Sequence, residues 1–164
     1  MTDRIYHVLF ICTQNSARSI MAEGLLNAMA PGQFRAHSAG SHPAGSVNPL
    51  ALATLARLRI PTDHLRSKDW AEFAKPPAPI LDFVFTVCDK AAGEACPVWP
   101  GQPMTAHWGV TDPATATGTD EEILKVFQDT AAILKRRIEL MLALPLASLD
   151  RMAIQRELTG IGSR

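Results

Sequence analysis

The segment IYHVLFI, Ile5 to Ile11, is apolar and β-rich with little alternation, and it runs directly into CTQNSARS. A run of that kind is a strand covered on both faces, the central position of a parallel sheet. Ile20, Met21, Leu25, Leu26 and Met29 then recur at helical spacing until Pro31-Gly32 ends them. Strand, loop and helix therefore follow one another without a break, and whatever the loop binds sits at the carboxyl end of a strand.

The alternation continues along the chain. Phe34 to Ser38 reads as a short strand, and Leu50, Leu52, Leu55, Ala56 and Leu58 as a helix. Ser67 followed by KDWAEF reads as a capped shorter helix before the Pro76–Pro79 break. Phe83 to Val87 is the clearest later strand, ending on Cys88, and Asp89 to Gly101 reads as a Gly-, Ala- and Pro-rich loop. Met104 to Trp108 is a short strand, Asp120 to Leu142 a long amphipathic helix, and Pro145 a break. The fold class expected is α/β: one domain with a central, mostly parallel sheet of about four strands and helices on both faces. Its bounds are 1–145, with 146–164 a helical extension packed on the same domain or on a neighbour and a polar Gly-Ser tail expected to fray.

Composition excludes several classes. At 164 residues the chain can bury a core without disulfides or a structural metal. Sixteen basic and sixteen acidic side chains cancel, so no general attraction to nucleic acid or an anionic membrane follows, and any anion site is local. The N-terminus MTDRIYHVLFIC lacks the order of a signal peptide, and no apolar run approaches the roughly 20 residues of a membrane span. A cytoplasmic monomer with reduced thiols at Cys12, Cys88 and Cys96 is the expectation. His7 reads as a core histidine, Trp70, Trp99 and Trp108 as core or loop anchors, and Lys135-Arg136-Arg137 as a solvated helix face.

The loop carries the chemistry. Between a buried strand and a helix start, the backbone N–H groups of Thr13, Gln14, Asn15, Ser16, Ala17 and Arg18 can curl around a tetrahedral oxyanion. Arg18 can clamp two of its oxygens with a planar fork. Asn15 suits the left-handed backbone such a loop requires. The helix N-terminus, Arg18 and the Ser19 hydroxyl together favour a nucleophilic thiolate at Cys12. A buried cysteine beside a helix capped by Ser16 is the plainer alternative.

The stretch VLFICTQNSARSIMAEGLLN resembles the phosphate loop of the low-molecular-weight protein tyrosine phosphatases and of the arsenate reductases built on the same fold. The likeness continues through Ser38-Ala39-Gly40 to the helix after Asp112. It implies that Cys12 is the nucleophile, Asn15 the shaper of the loop, Arg18 the oxyanion ligand and Ser19 a stabiliser of the thiolate. Asp112, in HWGVTDPAT, reads by itself as a turn or N-cap aspartate; the resemblance makes it the general acid that protonates the departing oxygen.

Electron counting separates the two branches. Hydrolysis of a phosphoester needs one cysteine and water, whereas reducing arsenate to arsenite needs two electrons, which two thiols supply on forming a disulfide. Cys88 and Cys96, in VCDKAAGEACPVWPG, followed by HWGVTDPA, are similar to the thioredoxin-coupled arsenate reductases. That likeness implies Cys88 as the resolving thiol and Cys96 as the terminal one. It also implies no tightly bound cofactor or metal, with electrons from thioredoxin or a similar dithiol protein. A tyrosine phosphatase using Cys12, Arg18 and Asp112 alone, and an oxyanion or redox sensor without turnover, are the alternatives.

Three positions depart from the family pattern. Ala17 stands where several relatives carry a further cysteine, and Ala114 where phosphatases commonly carry an aromatic residue. Some of the reductases bind potassium through residues matching Asn15, Glu23 and Ser38 and an aspartate near the position of Lys68. Here the expectation is that the Lys68 ammonium takes the cation's place by pairing with Glu23, against the plainer reading of a solvated lysine.

Overall fold

The computed structural model describes residues 4–88 and 99–164. Among them one sheet of four parallel strands is formed, in the order β2-β1-β3-β4, by β1 (Tyr6–Cys12), β2 (Phe34–Gly40), β3 (Phe83–Thr86) and β4 (Met104–His107). β1 lies between β2 and β3, and its Val8, Leu9, Phe10 and Ile11 are fully buried. Successive side chains point to opposite faces, so burial of all four means that both faces are covered, as the unbroken apolar run requires.

Four α-helices accompany the sheet among the described residues: α1 (Arg18–Met29), α2 (Pro49–Arg57), α3 (Asp120–Leu142) and α4 (Arg151–Ile161). α1 packs on β1 and β2, and α1, α2 and α3 pack on one another. Their ends carry the expected signals. Asn48 caps α2 ahead of Pro49, and α3 opens with a reciprocal capping box between Thr119 and Glu122. An aromatic layer links the sheet to the C-terminal helix: Phe10 and Phe85 meet Trp108, whose ring stacks on Phe85 at 3.9 Å between centroids.

Several expectations are corrected here. The segment after Ser67 is a single 3-10 turn, Trp70–Phe73, capped by Asp69 rather than by Ser67. Beyond Pro145 a 3-10 turn, Leu146–Ser148, precedes α4, whose cap is Asp150. The Gly-Ser tail is docked: a Cβ at Gly162 would lie 2.1 Å from the His107 carbonyl oxygen, so only glycine lets the chain approach β4 this closely. Arg137 is no part of a solvated face, for it is 7% exposed. α4 packs against β4 and α3 of its own chain, with the Gln155 amide donating to the Thr105 carbonyl at 2.6 Å and the Trp108 indole N–H to that of Leu158 at 2.9 Å. No helix among the described residues is long and apolar enough to cross a membrane.

His7 on β1 stacks on His37 on β2, with Nδ1 of one 3.1 Å from Nε2 of the other. Burial, then the positive charges of His7, Lys68 and Arg35, push the His37 imidazole down to about 4. The unfolded chain therefore takes up a proton near pH 6.5 that the folded chain refuses until about pH 4, so stability is full above that window and falls as pH drops through it. Urea midpoints measured across this range are expected to decline for the parent and to decline less for His37→Gln. An identical pH dependence in the two would contradict this assignment.

Candidate active site

The loop after β1 is shaped from outside. Asn15 adopts the left-handed conformation, at φ 49°. The Thr13 carbonyl accepts from the His42 N–H at 2.8 Å, that of Gln14 from the Ala44 N–H at 2.9 Å and the Ser67 hydroxyl at 3.1 Å, and that of Ser16 from the Asn48 N–H at 2.9 Å. Carbonyls engaged on the convex side leave N–H groups for the concave side, and the Gln14 N–H there pulls the Cys12 thiol down. Gly40, paired with Cys12 across the sheet, permits the approach: a Cβ there would sit 2.5 Å from the Thr13 carbonyl oxygen and 2.8 Å from that of Cys12. Sequence reasoning missed the bracing segment 41–48. The signal was available, because a loop with its carbonyls turned outward needs donors, and SHPAGSVN follows the strand that lies beside it.

α1 begins at Arg18, with Ala17 at its N-cap, no capping side chain and no acidic residue in its first turn. Ser16 therefore does not cap the helix, and the helix's positive end stays available to an anion. Arg18 lies against the segment that carries Asp112. Its Nη1 donates to the Val110 carbonyl at 3.0 Å and its Nη2 stands 3.5 Å from Asp112 Oδ2, while its buried Nε has no partner among the described residues. Asp112 also caps the 3-10 turn Pro113–Thr115, accepting from the Ala114 N–H at 3.0 Å. A cavity of about 480 Å³ is lined by Thr13, Gln14, Ser16, Ala17 and Arg18 on the loop, by Val110, Thr111 and Asp112 across from them, and by Cys12 and Cys88.

The two thiols are neighbours. Cys88 follows β3 by two residues and is 3% exposed, against 4% for Cys12. The Val87 N–H donates to the Ile11 carbonyl at 2.9 Å, which draws the end of β3 to the end of β1. Cys12 and Cys88 line the same cavity, and the Thr13 hydroxyl lies 3.5 Å from the Cys88 sulfur. The neighbouring Cys88 thiol and burial push the Cys12 thiol up, against the pull of the Arg18 charge and the Gln14 N–H. The cradle alone would favour a thiolate, as the sequence suggested; the neighbouring Cys88 and burial shift Cys12 toward the thiol. Cys96 lies outside the described residues.

Beneath the loop is a buried polar cluster. The Asn15 amide donates to the hydroxyls of Ser19 at 2.8 Å and Ser38 at 2.9 Å, and its oxygen accepts from the Lys68 N–H at 2.9 Å. Ser38 donates to Glu23 Oε1 at 2.5 Å. The Lys68 ammonium donates to the Arg66 carbonyl at 2.8 Å and to Ser38 at 3.4 Å, and stands 3.7 Å from Glu23 Oε1. Lys68 and Glu23 are 8% and 6% exposed, so Lys68 is not the solvated residue of the plainer reading. Burial pushes the Lys68 ammonium down, and Glu23 is the largest influence raising it again. Asn15, Glu23, Ser38 and Lys68 thus meet at one place.

The model of the family described as low molecular weight phosphotyrosine protein phosphatase matches residues 7–155. The chain is 36% identical over 132 residues to an arsenate reductase of Halalkalibacterium halodurans, which covers 80% of this chain and 91% of that one. A solved arsenate reductase in the phosphate binding state is similar at TM-score 0.69 and 27% identity, over 84% of this chain and 97% of the other. The Corynebacterium glutamicum thioredoxin-dependent arsenate reductase is similar at TM-score 0.56 and 26% identity, over 85% of this chain and 65% of that one. The likeness thus spans most of the chain and not a short motif alone, and the chain belongs to the low molecular weight phosphotyrosine protein phosphatase family, with arsenate reductases among its relatives.

Proposed function

We propose that this chain reduces arsenate to arsenite, in arsenic detoxification, through Cys12, Cys88 and Cys96, with electrons from thioredoxin or a similar dithiol protein. The observation that carries the reading is that a second buried thiol, Cys88, lines the same cavity as Cys12 beside an anion-shaped loop, with the Thr13 hydroxyl 3.5 Å from its sulfur. Hydrolysis needs no second thiol there, whereas two-electron reduction does. The similarity to arsenate reductases, one of them thioredoxin-dependent, supports it.

In this reading arsenate enters the cradle and takes the open Nε edge of Arg18. The Cys12 thiolate attacks arsenic(V), and Asp112 protonates the oxygen that leaves as water. The Cys88 thiolate then attacks the Cys12 sulfur, the sulfur–arsenic bond breaks, and its electron pair stays on arsenic, which departs as arsenite. Cys12 and Cys88 are left as a disulfide. Cys96 attacks Cys88, frees Cys12 as a thiolate, and the resulting Cys88–Cys96 disulfide is reduced by the external dithiol.

Arsenite production followed with thioredoxin, its reductase and NADPH tests the relay. Cys12→Ser, Cys88→Ser and Cys96→Ser are each expected to lower multiple turnover by at least about 100-fold. Parent-like turnover in both Cys88→Ser and Cys96→Ser would sink the relay; aryl phosphate hydrolysis that vanishes only in Cys12→Ser would then favour the phosphatase alternative.

Lys68 is assigned the place of a bound cation under the loop. Turnover is accordingly expected to be equal in potassium and sodium chloride at matched ionic strength. Lys68→Ala leaves Glu23 as an unpaired buried carboxylate and is expected to cost about 3–5 kcal/mol in urea unfolding, with potassium restoring part of it. Strong potassium-specific stimulation of the parent would contradict this role.

A further inference from the structure

Arg137, on α3, is a buried cation that no step above uses. Among the described residues no side-chain carboxylate pairs with it, and burial alone shifts its guanidinium, downward. Its partners are main-chain oxygens. Nη1 donates to the carbonyls of Trp108 at 2.8 Å and Gly109 at 2.9 Å, and Nε to the main-chain oxygen of Arg164 at 3.3 Å. Burying an arginine without a counter-ion is costly, and the carbonyls it serves indicate what is gained. Trp108 is fully buried just past the end of β4, where its carbonyl needs a donor.

Those carbonyls begin the segment that carries the proposed acid. Gly109 is followed by Val110, whose N–H bonds the Val87 carbonyl at 3.1 Å and whose carbonyl accepts from Arg18. Asp112 comes two residues later, 36% exposed at its side chain and 3.5 Å from Arg18. The far end of the same support is α4. Trp108 is tied to Leu158 through its indole N–H, and Gly162 lies against the His107 carbonyl. Residues 108 to 110 are thus held from one side by Arg137 and α4 and from the other by Arg18, whereas the cradle loop is held separately by residues 42–48 and by Asn15.

We infer that Arg137 is a positioning residue for Asp112: its guanidinium fixes the Trp108 and Gly109 carbonyls, and through them the place from which Asp112 delivers its proton. This rests on the reading above in one respect, that Asp112 is the acid. A brace for the whole fold would affect anion binding and chemistry alike. A device acting through Asp112 affects only the proton-dependent step.

A double-mutant cycle separates the two. With arsenate as substrate, Asp112→Asn is expected to lower kcat about 100-fold. Arg137→Gln is expected to lower it about 10-fold in the parent and less than about 2-fold when Asp112→Asn is already present, with Arg137→Lys between parent and Arg137→Gln. The dissociation constant for inorganic phosphate, by titration calorimetry, is expected to be unchanged in Arg137→Gln. Equal losses in the two backgrounds, or phosphate affinity falling in step with kcat, would overturn the inference. Amide hydrogen exchange supplies an arm that needs no turnover and that Arg137→Lys can serve if Arg137→Gln does not fold. Exchange is expected to quicken at Val110, Thr111 and Asp112 and to stay constant from Thr13 to Ala17; unchanged exchange at the first three would also overturn it. A parent without arsenate turnover would sink the functional reading alone and leave the exchange arm to decide this one.

Discussion

The anion cradle depends on its carbonyls being held from behind. A loop of six peptide groups offers as many oxygens as N–H groups, and oxygens facing inward would repel an oxyanion. Donors from His42, Ala44, Asn48 and Ser67 engage the oxygens of Thr13, Gln14 and Ser16 on the outer side. Asn15 supplies the left-handed turn that makes this geometry possible, and its side chain is held by Ser19, Ser38 and the Lys68 N–H. The helix behind the loop then adds its own uncapped N–H groups, and Arg18 adds the charge. Every part of this acts on a fixed backbone, so little reorganisation is needed when an anion arrives.

Chemistry beyond binding comes from a different strand. β1 and β3 are neighbours in the sheet, and their carboxyl ends bring Cys12 and Cys88 to one cavity, where the Thr13 and Cys88 side chains meet although 75 residues separate them. Parallel pairing is what makes this possible, since it puts the ends of successive strands on one edge. The same edge receives Asp112 from the segment after β4. Three strand ends therefore bring Cys12, Cys88 and Asp112 to one cavity.

Much of this was legible in the chain. IYHVLFI announced a central strand because an unbroken apolar run has no other comfortable place, and the helical spacing after Arg18 placed the loop at a helix start. Asn15, Glu23, Ser38 and Lys68 were grouped through the family resemblance, and the fold brings them together beneath the loop. What escaped depends on three-dimensional partners. Ser67 reads as a helix cap by local preference, yet it donates to Gln14 because the chain passes beside the loop there. Arg137 reads as solvated within a basic run, yet its helix faces the end of β4 and buried carbonyls outweigh exposure. The effect of Cys88 on Cys12 was invisible for the same reason, since spacing along the chain carries no information about which strand ends meet.

The most direct test of the central claim is a single turnover without external reductant, with the disulfide mapped by peptide mass spectrometry. The account predicts one arsenite released per chain, two thiols lost, and a Cys88–Cys96 disulfide in the parent that becomes Cys12–Cys88 in Cys96→Ser. A chain that binds arsenate and keeps all three thiols free would contradict it.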